Sequence, residues 1–280
     1  MPLDKLKLYL VAYIDLLGQS DRLKEFPLFP PAKDYAEKYE VPYRILSDFR
    51  TSIRSLSDSI GRQDIPSEIR SKLSNTDLSL MRDLCTYDIG FEFIGDAALL
   101  KLSLDESAGR KPLLGIERTL TQVSLLILNG LAEKNPVRCA IDIGLCREMD
   151  GGLYGQAVAS AYNLERQEAD FPRAMIGSYF IDYLDYYEVF LNKQMQDENW
   201  LIQKAYMKGI RSSLRKESND QNHSLDYLAG FKGKTDSLVT NAYQFIQESL
   251  EKYKADGDQK LLKRYERVER YFKDSGFGDK

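Results

Sequence analysis

Tyr87 to Leu104 reads YDIGFEFIGDAALLKLSL. Ile89, Phe91 and Phe93 alternate with Asp88, Gly90 and Glu92, the period of two that marks a half-buried strand. Ile94-Gly95-Asp96-Ala97 interrupts the pattern, and Ala98, Leu100, Leu102 and Leu104 resume it. Two alternating runs joined at Gly-Asp predict a β-hairpin with its turn at Gly95-Asp96. Upstream, Leu8 to Leu17 is mostly apolar and aromatic and ends at Gly18, which reads as a buried strand. Between the two, Asp21 to Pro42 carries FPLFPP (Phe26 to Pro31). Its prolines oppose a helix, so a loop is expected there. Tyr43 to Ile60 reads as a helix, because Ile45, Leu46, Phe49, Ile53, Leu56 and Ile60 recur at three and four. Pro66 is placed to start a second, shorter helix.

Downstream of the hairpin, Pro112 opens a helix that runs to about Glu133, since proline suits the first helical turn. Val137 to Cys146 is the next strand, and Gly151-Gly152 a turn. Gly155 to Ala169 reads as a helix that Pro172 ends, and Arg173 to Tyr179 as a strand. The order β-α-β-β-α-β-α-β extends the split βαβ, ferredoxin-like arrangement. The expected fold is therefore α/β of the α+β kind: an antiparallel-centred sheet with helices on one face. After Ile181 the chain reads as helical apart from a short strand at Leu225 to Leu228, with Asp256-Gly257 separating the last two helices. This predicts a core over 1–190 and a helical C-terminal extension over 191–280 packed on it.

The 280 residues are 43% hydrophobic and 29% charged, which excludes wholesale disorder. A net charge of −4 argues against a dedicated nucleic-acid binder. The basic cluster Lys260, Lys263, Arg264, Arg267 and Arg270 is interleaved with Glu266 and Glu269 and reads as a solvated helix face. Three cysteines without a CxxC pair indicate neither a disulfide framework nor a zinc site. The single histidine, His223, stands in the polar stretch KESNDQNHS and reads as solvated. No run of ~18 apolar residues predicts a membrane span. The opening MPLDKLKLYLVAYIDLL lacks a signal-peptide pattern, so a cytoplasmic protein is expected.

Two aspartates stand out by position. Asp15 lies near the end of the first strand, and Asp96 in the hairpin turn. In a split βαβ sheet these strands are neighbours, so the two carboxylates can come close. Close carboxylates repel unless a cation lies between them, and magnesium suits one or two carboxylates with water and phosphate completing its shell. Such pairs serve two-metal phosphoryl or nucleotidyl transfer. Asp at a strand end before Gly, and Gly-Asp in a hairpin, are also ordinary turn chemistry.

YIDLLGQS (Tyr13 to Ser20) resembles the first-strand motif of class III nucleotidyl cyclases, and EFIGDAALL (Glu92 to Leu100) resembles their Ile-Gly-Asp-Ala motif. VRCAIDIGLC (Val137 to Cys146) looks like the strand that follows. LYGQAVASAYNLE (Leu153 to Glu165) looks like the Gly-x-x-Val-Asn-x-Ala-x-Arg-x-Glu helix. The resemblance covers roughly 8–180. It is closer to the bacterial defence branch that includes the pyrimidine cyclases of the Pycsar type, whose helix looks like Gly-x-Ala-x-x-x-Ala-Tyr-x-Leu-Glu and runs on to Ala-x-x-Pro-Arg. Gly155, Ala157, Ala161-Tyr162, Leu164-Glu165, Ala169 and Pro172-Arg173 follow that pattern.

The resemblance implies a fold and an activity. The fold is a ferredoxin-like βαββαβ class III cyclase core. The activity converts a nucleoside triphosphate, UTP or CTP favoured, to a 3′,5′-cyclic mononucleotide and pyrophosphate, as an antiphage second messenger. Asp15, Asp96 and the Leu16 carbonyl would hold two divalent ions, Mg2+ or Mn2+. Backbone N–H groups of Gly18, Gln19 and Ser20 would cradle the triphosphate. Glu92 falls at the base-selecting position, and the position that partners it upstream of Gly155 falls on Gly152. The family's Asn and Arg on the helix become Ala159 and Asn163 here. Arg166, one turn on, and Arg173 are the candidates for the missing cation, both of which also read as surface or structural arginines. One such domain per chain implies a homodimer with its sites at the interface, free of nucleic acid and membrane. The missing pair also suits a second reading, a degenerate cyclase-fold domain that binds a nucleotide or a protein without turnover. A third option is a nuclease- or polymerase-palm-like phosphoryl transferase using the same two carboxylates.

Overall fold

The structure is a computed structural model that describes residues 6–19, 35–61, 87, 89–104, 112–193, 198–216, 223–234 and 236–278. It is an α+β protein built on one mixed sheet. The first half runs β1 (Lys7–Leu16), α1 (Tyr35–Gly61), β2 (Ile89–Ile94), β3 (Ala97–Ser103), α2 (Pro112–Ala132) and β4 (Val137–Met149). It continues through β5 (Gly152–Gly155), α3 (Gln156–Glu168), β6 (Ala174–Ile176) and α4 (Ser178–Lys193). The rest is α5 (Glu198–Ser212), β7 (Leu214–Lys216), β8 (His223–Leu225), α6 (Ser237–Asp256) and α7 (Gln259–Asp274). The sheet order is β2-β3-β1-β4-β6-β8-β7, with β5 folded back on β4. β1 is antiparallel to both neighbours, β3 and β4, and β4 is parallel to β6.

Alternation along the strands divides the sheet into two faces. On one, Leu10, Ala12, Ile14, Leu16, Ala98, Leu100, Leu102, Cys139, Ile141 and Ile143 join a single apolar core. α1 closes it with Ile45, Phe49, Ile53, Leu56 and Ile60, and α2 with Leu113, Ile116, Leu120, Val123 and Ile127. Residues of α5, α6 and α7 extend the same core. The other face carries Tyr9, Val11, Tyr13, Ala97, Leu99 and Cys146, covered by Leu153, Ala157 and Ala161 of the β5–α3 segment. Gly144 lets α3 approach: a Cβ there would stand 2.9 Å from the Ala157 nitrogen.

The hairpin, its Gly95-Asp96 turn and the Pro112 helix form where the sequence predicts them. Several other expectations are corrected. α1 begins at Tyr35, so the predicted loop over Asp21 to Pro42 ends early; residues 21–34 lie outside the described residues. Pro42 stands inside α1 and forfeits one backbone bond, while the buried apolar row that follows holds the helix. The helix expected at Pro66 also lies outside the described residues. The strand expected over Arg173 to Tyr179 is only Ala174–Ile176, because Asp142 Oδ1 accepts the Phe180 N–H at 2.8 Å and starts α4.

β4 runs on to Met149 and turns back as β5. The Gly151-Gly152 turn falls at Asp150-Gly151 instead, with Gly152 in the strand. The sheet is covered by helices on both faces, since α3 takes the one left open by the sequence reading. The strand expected at Leu225 to Leu228 is His223–Leu225. His223, expected to be solvated, is half-buried in β8 and pairs with Ile176. Through β8 and β7 the segment after 190 adds strands to the same sheet.

Candidate site on the second face of the sheet

Charged strand residues of the second face gather into two local groups, one around Asp15 and one around Lys101. At one end, β1 finishes where β4 starts. Asp15 is paired in register with Arg138 on one side and Ala97 on the other, and directly opposite residues of an antiparallel pair share a face. Arg138 donates from Nε to Asp15 Oδ2 at 3.0 Å, and its Nη2 stands in ion-pair contact with the same oxygen at 2.9 Å. Its Nη1 donates to the Ala169 carbonyl at 3.3 Å, and its Nε also stands in ion-pair contact with Glu165 Oε1 of α3. Side-chain exposure is 20% for Asp15, 23% for Arg138 and 4% for Glu165.

Asp96 reaches this end through the hairpin turn. Its carbonyl accepts the Leu16 N–H at 3.3 Å, and Ala97 is paired with Asp15. α1 braces the turn from below, with Arg50 donating to the Gly95 carbonyl at 3.3 Å and lying over the Phe93 ring. The surroundings are anionic. Burial raises the Asp15 carboxyl; Arg138 pulls it back, and Asp96 pushes it up again. Glu165 is pushed up to about 7, by burial first, against the pull of Arg138 and with a further push from Asp15. The Tyr13 phenol is pushed up to about 12 by burial, then by Asp15 and Glu165.

The two aspartates are thus brought to one strand end. Gly18 follows at φ +84°, Gln19 is buried, and Ser20 lies outside the described residues. Asn163 is exposed on α3. Arg166, on the same helix and also exposed, donates to the Tyr162 hydroxyl at 3.2 Å. Arg173 is fastened locally: its guanidinium bonds the Glu168 carbonyl, stands 3.6 Å from Asp170 and lies over Phe171. The cation that the structure sets against Asp15 is Arg138, which sequence reasoning passed over. The available signal was its place at the start of the strand following the hairpin and helix, beside the end of β1.

Glu92 belongs to a second group farther along the same face. Lys101 Nζ lies 3.3 Å from Glu92 and 2.9 Å from Glu148. Its stem runs over Gly90, where a Cβ would meet Lys101 Cε at 2.8 Å. A Cβ on Gly152 would lie 3.5 Å from Glu92 Oε2, so these two positions do face each other.

Among the described residues no group of three or more His, Cys, Asp or Glu side chains is gathered to hold a metal ion. Two carboxylates and a carbonyl at one strand end still match the hard-oxygen donor set of an ion that completes its shell with water and phosphate. No helix among the described residues is long and apolar enough to cross a membrane. Comparison of the sequence with protein-family models and with curated proteins gives no match.

Proposed function

We propose that this chain is a nucleotidyl cyclase of the class III-like, pyrimidine-cyclase type with a ferredoxin-like core, cyclising a nucleoside triphosphate, UTP or CTP favoured, to a 3′,5′-cyclic mononucleotide and pyrophosphate. The observation that carries the reading is the pairing of Asp15 with Ala97, which brings the Asp96 turn to the end of β1. Asp15, Asp96 and the Leu16 carbonyl would hold divalent ions, Mg2+ or Mn2+. Such ions, when bound, supply charge neutralisation for the triphosphate and lower the pKa of the ribose 3′-hydroxyl. Arg138 adds a guanidinium beside them, where negative charge develops on the phosphates. Backbone N–H groups at Gly18 to Ser20 would receive the phosphates. Glu92, with no side chain facing it from Gly152, would accept the N3–H of a uracil base.

A homodimer suits the exposed side of α3 and the β4–β5 hairpin. Leu145, Met149, Tyr154 and Tyr162 are all exposed there, beside Asn163 and Arg166, which a second copy would then receive in its own site. Cytoplasmic antiphage signalling is the setting this activity fits.

The test is incubation of the purified chain with each of the four nucleoside triphosphates and Mg2+ or Mn2+, with cyclic product read by mass spectrometry. Turnover that Asp15→Asn and Asp96→Asn each abolish is expected. Near wild-type turnover in either variant sinks the metal assignment. A chain that cyclises none of the four is the degenerate domain instead, a reading favoured by the hold of Arg138 on Asp15 and by neutral Ala159 and Asn163.

A further inference from the structure

Arg138 is shared by two carboxylates, and they come from different layers. Asp15 lies across the sheet on β1 and Glu165 descends from α3. A guanidinium held on Oδ2 and a divalent cation placed at Asp15 compete for the charge of one carboxylate. If Arg138 yields, its half-buried guanidinium loses a partner, and a partly desolvated charge left unpaired is destabilising. Glu165 is 4% exposed, so bulk water does not stand in for it. Its oxygen is already in contact with Arg138 Nε, the nitrogen that also bonds Asp15. Handing the guanidinium from one carboxylate to the other therefore needs no large movement.

We propose that Glu165 is a positioning residue, the counter-ion that keeps Arg138 when Asp15 takes a divalent cation, so that the cation does not have to displace an otherwise unpaired arginine. The Ala169 carbonyl, which accepts from Arg138 Nη1 at 3.3 Å, anchors the far side of the guanidinium during the exchange. The inference rests on the metal-binding reading of Asp15 and Asp96, and it extends that reading to a residue outside the aspartate pair.

The test is Mn2+ binding to the nucleotide-free full chain, read by the electron paramagnetic resonance of free Mn2+, so that turnover is not needed. Glu165→Gln should weaken Mn2+ by roughly 10- to 100-fold, the range for losing a partner behind a metal ligand. Arg138→Met should tighten it by removing the competitor. In the Arg138→Met background, adding Glu165→Gln should change little, because the effect passes through the arginine. An equal weakening with and without Arg138 would show only a long-range charge effect and overturn the proposal, as would an unchanged affinity in Glu165→Gln. Should Arg138→Met fail to fold, Arg138→Lys replaces it. Its compact ammonium lacks the fork that spans both carboxylates, so the Glu165→Gln effect must shrink, and an undiminished effect overturns the proposal. Mn2+ binding that ignores Asp15→Asn overturns the metal reading itself, whatever Glu165 does.

Discussion

The same strands present two unlike faces. Along β1, Leu10, Ile14 and Leu16 enter a deep core closed by α1 and α2, while Tyr9, Tyr13 and Asp15 lie under α3. The first face holds only apolar strand residues at its centre. The second mixes Val11, Ala97 and Leu99 with Asp15, Arg138, Asp142 and Lys101. Alternation sends successive residues to opposite faces, so one sequence specifies stability on one side and polar chemistry on the other. The comparison also shows how charge is tolerated beneath a helix: each such group is caught by a cross-strand partner, a backbone donor or a helix side chain.

Two adjacent residues separate the faces most sharply. Leu100 and Leu99 are both buried, at 0% and 1% exposure, but on opposite faces. Leu100→Ala should cost about 2–5 kcal/mol, the range for a cavity in a closed core. Leu99→Ala should cost less, because its thinner cover can settle or admit water beside the charged groups. Urea unfolding of both variants measures this, and equal costs would mean that the two faces are packed alike.

A second test concerns a charge of the second face that serves structure alone. Asp142 is fully buried. Its Oδ1 accepts from Ile143 N at 2.9 Å and Phe180 N at 2.8 Å, and its Oδ2 from Ser160. Burial raises its carboxyl and these bonds lower it again. Asp142→Ala leaves the buried donors unpaired, at about 1–3 kcal/mol. Asp142→Ala should lower the unfolding midpoint without weakening Mn2+ binding; weakened Mn2+ binding would join Asp142 to the Asp15 group.

What the sequence made legible divides along the same line. The deep face announces itself through Ile45, Phe49, Ile53 and the alternation around Leu100, because apolar periodicity is a local signal. Asp15 and Asp96 were also legible, since each ends or turns a readable strand. Arg138 was not, because its meaning lies in a partner on another strand. Glu165 shares that difficulty: the sequence marks it only as part of a helix motif, and its partner appears once α3 is laid on the sheet. β5, β7 and β8 are too short for a period to show. The start of α1 was hidden by Pro42, whose local cost is outweighed by packing further along the helix.

Glu165 also gives the second face a pH dependence of its own. Its folded pKa, about 7, lies above the ordinary 4.5, so between those values the folded chain binds more proton than the unfolded one. Stability from this group is full below about pH 4.5 and is lost as pH rises through 7. Asp15, also raised by burial, acts with the same sign. At its steepest the loss approaches about 1 kcal/mol per pH unit. Melting temperatures at pH 5 and pH 8 should fall less for Glu165→Gln than for the wild type. A constant gap between the two proteins would remove Glu165 as the titrating group.

The smallest effect is expected where the tail meets the polar end. Asp170 stands between Arg173, at 3.6 Å, and Arg267 of α7, at 2.6 Å. It directly follows Ala169, whose carbonyl holds Arg138. The contact is short, yet Arg267 is 56% exposed and Asp170 39%, so water and salt screen it. Exposed pairs of this kind contribute about 0–1 kcal/mol. Val268, Phe272 and Tyr265 already bury α7 in the apolar core, so the helix does not depend on this pair for its position. Arg267→Ala should therefore change stability by less than about 1 kcal/mol, an effect that fades further in high salt, and leave Mn2+ affinity untouched. If Mn2+ binding weakens instead, the loop from Ala169 to Arg173 is held in place from α7, and the tail becomes part of what positions Arg138.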